Sequence, residues 1–323
     1  MLFFALKGSE VLGQAIAVAA GFDLAPHEER DFDGGEHKAR PLVSVRGKDV
    51  YVLHNLSGTA AASANDRLMR LLFFIATCRE NGAARVTAVV PYLAYSRKDR
   101  QTKPRDPVTT RYVATLFEAV GTDMVMTLDV HTILAFQNAF RCQTLHLDTR
   151  RLFAADIAAR MPAGPVAVVS PDGGGVKRAE LLRETLEAVS GRAVDFGFME
   201  KRRSGGVVSG SLFAGDVEGR QVFIVDDMIC GGDTVLRTAL ACRQHGATAV
   251  NVLAAHGMMT PKGIEVLGDA AIDGITLTDS VAPFVAPVGA LGGKLRVLSV
   301  GPLFGQVILA LHEGRPVEDL VSP

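Results

Sequence analysis

The chain has 323 residues, 48% of them hydrophobic, which suits two domains of ordinary size or one large α/β domain with a sizeable core. Aromatics make up only 6% and Trp is absent, so that core must be aliphatic. A formal net charge of −1 excludes any global attraction to nucleic acid or an anionic membrane, and an anionic ligand must be held by local charge.

The four cysteines, Cys78, Cys142, Cys230 and Cys242, are scattered with no CxxC or CxxH spacing. That argues against a disulfide framework or a zinc site and fits a reducing cytoplasm. The opening MLFFALKGSE lacks a basic n-region and is too short an apolar run for a signal peptide. No segment reaches the roughly 18 apolar residues of a membrane helix. The expectation is a cytoplasmic protein with no nucleic-acid or membrane partner.

Short β-branched runs alternate with longer amphipathic ones along the chain. Residues 48–56 (KDVYVLHNL) read as a strand, 65–81 as a helix, 85–93 (RVTAVVPYL) as a strand, 110–121 as a helix and 123–130 (DMVMTLDV) as a strand. After a boundary near 145–150, placed at 148, the spacing predicts a helix over 150–161, a strand over 166–172, a helix over 177–191 and strands over 194–200 and 221–229. A helix over 234–246 and strands over 248–257 and 273–280 follow. Several helices stop at Gly, as a left-handed cap requires. This βαβ alternation implies mostly parallel sheets with helices on their faces, in a rhythm that runs twice, once in 1–148 and once in 149–323. The stretch 98–107, KDRQTKPRDP, is charged, carries two prolines and has no apolar periodicity, so it reads as the mobile part.

Ligands of open parallel sheets bind beyond the carboxyl ends of the strands. Residues 222–235, VFIVDDMICGGDTV, end one such strand. Gly231 and Gly232 between strand and helix read as a turn that aims backbone N–H groups at an anion, with the helix dipole behind them. Asp226 and Asp227 oppose this, because two unit charges about 4 Å apart interact by roughly 4 kcal/mol at an effective dielectric of 20. They are tolerable beside a phosphate only if they face something else, such as ribose hydroxyls or Mg²⁺. An ordinary capped strand-to-helix turn would carry the same letters. Arg97, Lys98, Asp99 and Arg100, with Lys103 and Arg105, form a dense charged stretch after a strand, either a solvated loop or a lid bringing cations to a polyphosphate. Asp129 and His131 end another strand. Asp172 precedes a glycine turn, where it could contact Mg²⁺ or a sugar. Lys201, Arg202 and Arg203 end a further strand, with Lys201 and Arg203 on one face by period 2.

The loop from Asp226 to Thr234 resembles the sugar-phosphate signature of phosphoribosyltransferases, an apolar run followed by D-D-x-hydrophobic and a glycine loop ending in Thr. In order, PY-x-x-Y-x-R-x-D-R, D-x-H, VSPD-x-G, KRR and VDDM resemble the ribose-phosphate pyrophosphokinase (phosphoribosyl-pyrophosphate synthetase) family over nearly the whole chain. The resemblance implies two tandem type I phosphoribosyltransferase-like domains, each a mostly parallel sheet flanked by helices, assembled into dimers or hexamers. It implies transfer of the β,γ-pyrophosphate of ATP to the 1-hydroxyl of ribose 5-phosphate, with Mg²⁺ as cofactor. By resemblance Lys201 and Arg203 are the transition-state cations. Arg97, Lys98, Asp99 and Arg100 contact ATP, and Phe32 and Glu36 form an adenine pocket borrowed by the neighbouring subunit. His131 and Asp172 fall on metal-associated positions. Asp226 and Asp227 hold the ribose hydroxyls, and Cys230, Gly231, Gly232, Asp233 and Thr234 hold the 5′-phosphate.

Departures from the family pattern concentrate at two places. The usual D-T-G-G-T loop is Cys230, Gly231, Gly232, Asp233, Thr234, which moves an acid to the fourth position, where the expectation is that Asp233 turns outward and caps the helix. The adenine-pocket F-S-D-G-E becomes Phe32, Asp33, Gly34, Gly35, Glu36, and Lys98 stands where Gln is common. These changes support an alternative, a divergent, weakly active or regulatory paralogue that binds nucleotide and assembles with an active partner. A plain phosphoribosyltransferase would leave the basic stretch and Lys201 to Arg203 unexplained, and no GxxxxGK[ST] pattern points to a P-loop kinase.

Overall fold

The computed structural model describes residues 1–323 apart from 60, 162, 205–206, 282–287 and 322–323; the side chains of 201–211 also lie outside the described residues. The chain forms two compact units. The first holds Met1–Leu147 and the stretch carrying the last two helices, and the second holds Asp148–Asp279 and the stretch carrying the last strand.

The first unit runs β1 (Leu2–Ala5), α1 (Glu10–Ala20), a hairpin of β2 (His27–Asp31) and β3 (His37–Pro41), β4 (Asp49–Leu53), α2 (Ala64–Glu80) and β5 (Arg85–Val90). It continues with α3 (Thr109–Ala119), β6 (Met124–Leu128), α4 (Ile133–Ala139) and β7 (Gln143–Leu147). Its sheet has the order β1-β4-β5-β6-β7, parallel throughout. Strands β4, β5 and β6 are buried almost end to end, as in a parallel sheet with both faces covered. Helix α2 begins where a capping box fixes it: the Asp66 N–H donates to Ser63 Oγ at 3.2 Å and the Ser63 N–H returns to the Asp66 carboxylate at 2.8 Å.

The second unit runs α5 (Arg150–Ala159), β8 (Val166–Ser170), α6 (Val176–Ser190), β9 (Asp195–Ser204), β10 (Val207–Gly215), β11 (Gln221–Ile229), α7 (Asp233–Gln244), β12 (Ala249–Gly257), α8 (Pro261–Leu267), β13 (Gly274–Thr278) and β14 (Leu295–Leu298). Its sheet order is β10-β9-β8-β11-β12-β13-β14, and the β9–β10 pair alone in that sheet is antiparallel. Strand alternation sorts the side chains onto two faces. Val222 and Ile224 of β11 join Ala167 and Val169 of β8 in a core under α7 and α8, with Val235, Ala239, Ile264 and Leu267. Phe223 and Val225 join Val166 and Val168 in a second core under α5 and α6, with Phe153, Ile157, Leu182 and Leu186. Charged or polar residues that follow on the same strands therefore inherit a defined face.

Helices α9 (Gly301–His312) and α10 (Glu318–Val321) belong to the first unit, where α9 packs on α1. A Cβ on Gly305 would lie 2.9 Å from the Ile16 carbonyl oxygen, so glycine is what lets these two helix backbones approach. Among the described residues no helix is long and apolar enough to cross a membrane.

Candidate functional site

Strand β11 continues beyond its acids to Ile229, so Asp226 and Asp227 sit inside the ladder, with Asp226 opposite Ala254 of β12. Asp227 is buried at 3% exposure and Asp226 is half-buried. The Asp227 N–H donates to Asp226 Oδ1 at 2.9 Å. Burial, then the hydrogen bond and negative charge of Asp227, push the Asp226 carboxyl up to about 8, against the pull of Arg178. Arg178 Nη1 stands 3.9 Å from Asp226 Oδ1 and 3.7 Å from Asp227 Oδ1. One cation is thus shared by the two acids.

The loop after β11 is built by close backbone packing against α8. The Thr260 N–H donates to the Cys230 carbonyl at 3.2 Å, and a Cβ on Gly263 would fall 2.1 Å from that same oxygen. Gly232 takes φ +75° and is the cap of α7, with no side chain closing the first turn. The left-handed backbone there suits glycine, and the uncapped N–H groups at the head of a 12-residue helix are oriented to take an anion. Asp233 is the first residue of α7 rather than its cap. Its Oδ1 lies 3.7 Å from Lys262 Nζ, with both side chains largely exposed.

Asp172 organises the turn between β8 and α6. Its Oδ1 accepts the Gly174 and Gly175 N–H groups at 3.0 and 3.2 Å, while Ser170 Oγ donates to the Asp172 carbonyl at 2.7 Å. The carboxylate is therefore partly committed to the backbone at a helix N-terminus, where negative charge is favoured. Helix α6 also brings Arg178 to the acid pair, so Arg178, Asp226 and Asp227 form one cluster in this unit.

In the first unit, β5 and β6 are neighbours, and the loops after them leave the sheet side by side: the Leu128 N–H donates to the Pro91 carbonyl at 3.2 Å. Asp129 is buried with φ +39°, and its N–H donates to the Leu147 carbonyl at 2.9 Å. The Val130 N–H donates to His146 Nε2 at 3.3 Å, and the turn presents His131 on the surface. Residues 98–107 contain no helix or strand and are gathered around one carboxylate. Asp106 accepts Lys98 Nζ at 2.8 Å, Thr102 Oγ1 at 2.6 Å and the Thr102 and Lys103 N–H groups at 3.1 and 3.0 Å. The Lys98 ammonium, followed by Thr102, holds the Asp106 carboxyl well below the usual range. Lys98 is thus occupied within its own loop, Asp99 is half-buried, and Arg97 and Arg100 are exposed with no ion-pair partner among the described residues.

Phe32 and Glu36 face each other across the β2–β3 turn, where the Phe32 N–H donates to the Glu36 carbonyl at 2.9 Å. Both are exposed, and the Arg30 guanidinium lies over the Phe32 ring at 5.1 Å. Gly34 takes φ +90°, a backbone that favours glycine.

Lys201 and Arg203 lie on β9, opposite Ser211 and Val208 of β10; their side chains are outside the described residues. Among the described residues no three His, Cys, Asp or Glu side chains are grouped to hold a metal ion. Sequence reasoning missed Arg178 and Lys262. Arg178 had a readable signal: a cation in the first turn of a helix opposes the dipole and calls for a carboxylate partner. Lys262 had none, because only the packing of α8 on the loop brings it to Asp233.

Comparison with known proteins accords with this architecture. A family model for the N-terminal domain of ribose phosphate pyrophosphokinase matches residues 1–121, and one for the phosphoribosyl synthetase-associated domain matches residues 210–321. The ribose-phosphate pyrophosphokinase of Caldanaerobacter subterraneus subsp. tengcongensis is 35% identical over 312 residues, 96% of this chain and 94% of that protein. The one from Granulibacter bethesdensis is 32% identical over 321 residues, 99% of each chain. The crystal structure of phosphoribosylpyrophosphate synthetase from Mycobacterium smegmatis superposes with a TM-score of 0.86 at 29% identity, covering 97% of this chain and 99% of that one. The two parallel-sheet units flanked by helices are the tandem phosphoribosyltransferase-like fold that the motifs imply. With identity above 30% along almost its entire length, the chain belongs to the ribose-phosphate pyrophosphokinase family.

Proposed function

We propose that this chain transfers the β,γ-pyrophosphate of ATP to the 1-hydroxyl of ribose 5-phosphate, giving phosphoribosyl pyrophosphate and AMP. The observation that carries the reading is the β11–α7 segment, where an acid pair precedes an uncapped helix head. Hydroxyl donors suit carboxylates and a phosphate suits free N–H groups, so the segment fits a sugar phosphate laid along it. Asp226 and Asp227 take the ribose hydroxyls, and the loop Cys230, Gly231, Gly232, Asp233 and Thr234 takes the 5′-phosphate. Arg178 keeps the acids from repelling each other before the sugar arrives.

Attack at the β-phosphorus needs in-line positioning and cations where charge builds, with little covalent work by the protein. Lys201 and Arg203 are assigned that role. Arg97, Lys98, Asp99 and Arg100 are assigned to ATP, with Lys98 exchanging Asp106 for phosphate oxygens. Phe32 and Glu36 are assigned to adenine at a subunit interface of a homo-oligomer, dimer or hexamer. Mg²⁺ takes few protein carboxylates and completes its shell with water and phosphate oxygens. Asp172 and His131 are each assigned to the metal, Asp172 as an oxygen donor of the kind Mg²⁺ prefers. When bound, the ion neutralises charge on the polyphosphate. The setting is the cytoplasm.

The regulatory alternative is not favoured, since relatives matching almost the whole chain carry the pyrophosphokinase name. Incubation with Mg²⁺, ATP and ribose 5-phosphate, followed by ³¹P NMR, tests the proposal. AMP and a pyrophosphorylated sugar are expected; ADP, or no turnover, overturns it.

A further inference from the structure

We infer that Lys262 is a charge-compensating residue of the sugar-phosphate loop, cancelling Asp233 so that the loop can take a phosphate. The inference rests on the assignment of 5′-phosphate to residues 230–234. An acid at Asp233 is the unfavourable feature of that loop. Its Oδ2 lies 3.5 Å from where a Cβ on Gly231 would stand, so the carboxylate lies close over the loop. A −1 charge there repels a dianionic phosphate unless a cation is fixed nearby.

Lys262 is that cation, at 3.7 Å from Asp233 Oδ1. As a bare surface pair, with side chains 71% and 69% exposed, it would contribute little to stability. Its placement distinguishes it. Thr260 caps α8 by accepting the Gly263 N–H at 3.0 Å, and its own N–H donates to the Cys230 carbonyl at 3.2 Å. Across the same contact, a Cβ on Gly232 would meet Val266 at 3.0 Å. The backbone that carries Lys262 is therefore keyed to the backbone of the phosphate loop. The Cα of Lys262 cannot move away without α8 leaving the loop, so its ammonium stays within reach of Asp233 and offsets its charge.

Without Lys262, a unit negative charge about 6 Å from a dianion in water-like surroundings weakens binding by about tenfold. The test is a double-mutant cycle read by calorimetric titration with ribose 5-phosphate and by steady-state kinetics. Lys262→Ala should raise both Kd and KM for ribose 5-phosphate by about tenfold, with kcat within about twofold and KM for ATP unchanged. In the Asp233→Asn background the same substitution should change Kd by less than about threefold. Lys262→Arg should keep wild-type affinity, and raising the salt should shrink the Lys262→Ala effect. Equal losses in both backgrounds, or no loss in either, overturn the inference. A wild type that binds ribose 5-phosphate but forms no AMP overturns the assigned activity, while the binding cycle still decides the role of Lys262. A wild type that does not bind the sugar phosphate overturns both.

Discussion

Replacing Gly263 by alanine tests whether the loop after β11 is built by its contact with α8. The added Cβ would lie 2.1 Å from the Cys230 carbonyl oxygen, whereas such contacts essentially never fall below 3.0 Å, so α8 and the loop must separate by roughly 1 Å. Two effects compete. Alanine favours a helix over glycine by about 1 kcal/mol, while overpacking against backbone costs about 1–3 kcal/mol or more. The clash is with a carbonyl already bonded to the Thr260 N–H, so it cannot be relieved by a side-chain rotation. A net loss of about 2 kcal/mol corresponds to a fall in Tm on the order of 4–8 °C. The same shift moves Cys230 to Gly232, and KM for ribose 5-phosphate should rise by about fivefold while KM for ATP stays within about twofold. Gly289→Ala, where a Cβ meets nothing within 4 Å, is the control. If Gly263→Ala melts and turns over like the wild type, the loop does not depend on its contact with α8.

Other outcomes follow from the remaining contacts. Asp226 is pushed up to about 8 in the folded protein from an ordinary carboxylate value, so the folded state binds more protons between about pH 4 and pH 8. Stability from this group is therefore lost as pH rises through that window and levels off above about 8. Asp226→Asn should gain stability relative to wild type more at pH 8.5 than at pH 6 in urea melts, by about 1 kcal/mol or more; a pH-independent difference rules out the raised value. Asp106→Asn should release Lys98 and speed trypsin cleavage within 98–107, since one carboxylate gathers four hydrogen bonds there; unchanged cleavage would show that the loop is held otherwise. Lys201→Ala should lower kcat by about 100-fold or more with little change in ribose 5-phosphate binding, and equal losses in both would remove its assigned transition-state role.

Much of the fold was legible because buried parallel strands read as unbroken β-branched runs and their crossover helices read as 3.6-period stretches. Residues 85–93, 123–130 and 221–229 each contain the strand expected of them. Strand β1, helix α1 and the β2–β3 hairpin were not read. The strand β1 has four residues, too few for a period, and the hairpin is charged on both strands, so its apolar signal is weak. Helix α9 is apolar, but its return to the first unit depends on Gly301 and Gly305 meeting α1, a relation between residues almost 300 positions apart.

The sequence by itself determined the chemistry of the β11–α7 loop: two acids and two glycines, in that order between a strand and a helix, call for a ligand with both hydroxyls and an anion. It also marked Asp233 as the residue out of pattern. Tertiary structure decided how that chemistry is balanced. Arg178 reaches Asp226 and Asp227 because α6 packs on the face that Phe223 and Val225 establish. Lys262 reaches Asp233 because Gly263 lets α8 seat against the Cys230 carbonyl. Charge compensation is a matter of distance in space, and spacing along a chain carries no record of which helix will supply the opposite charge.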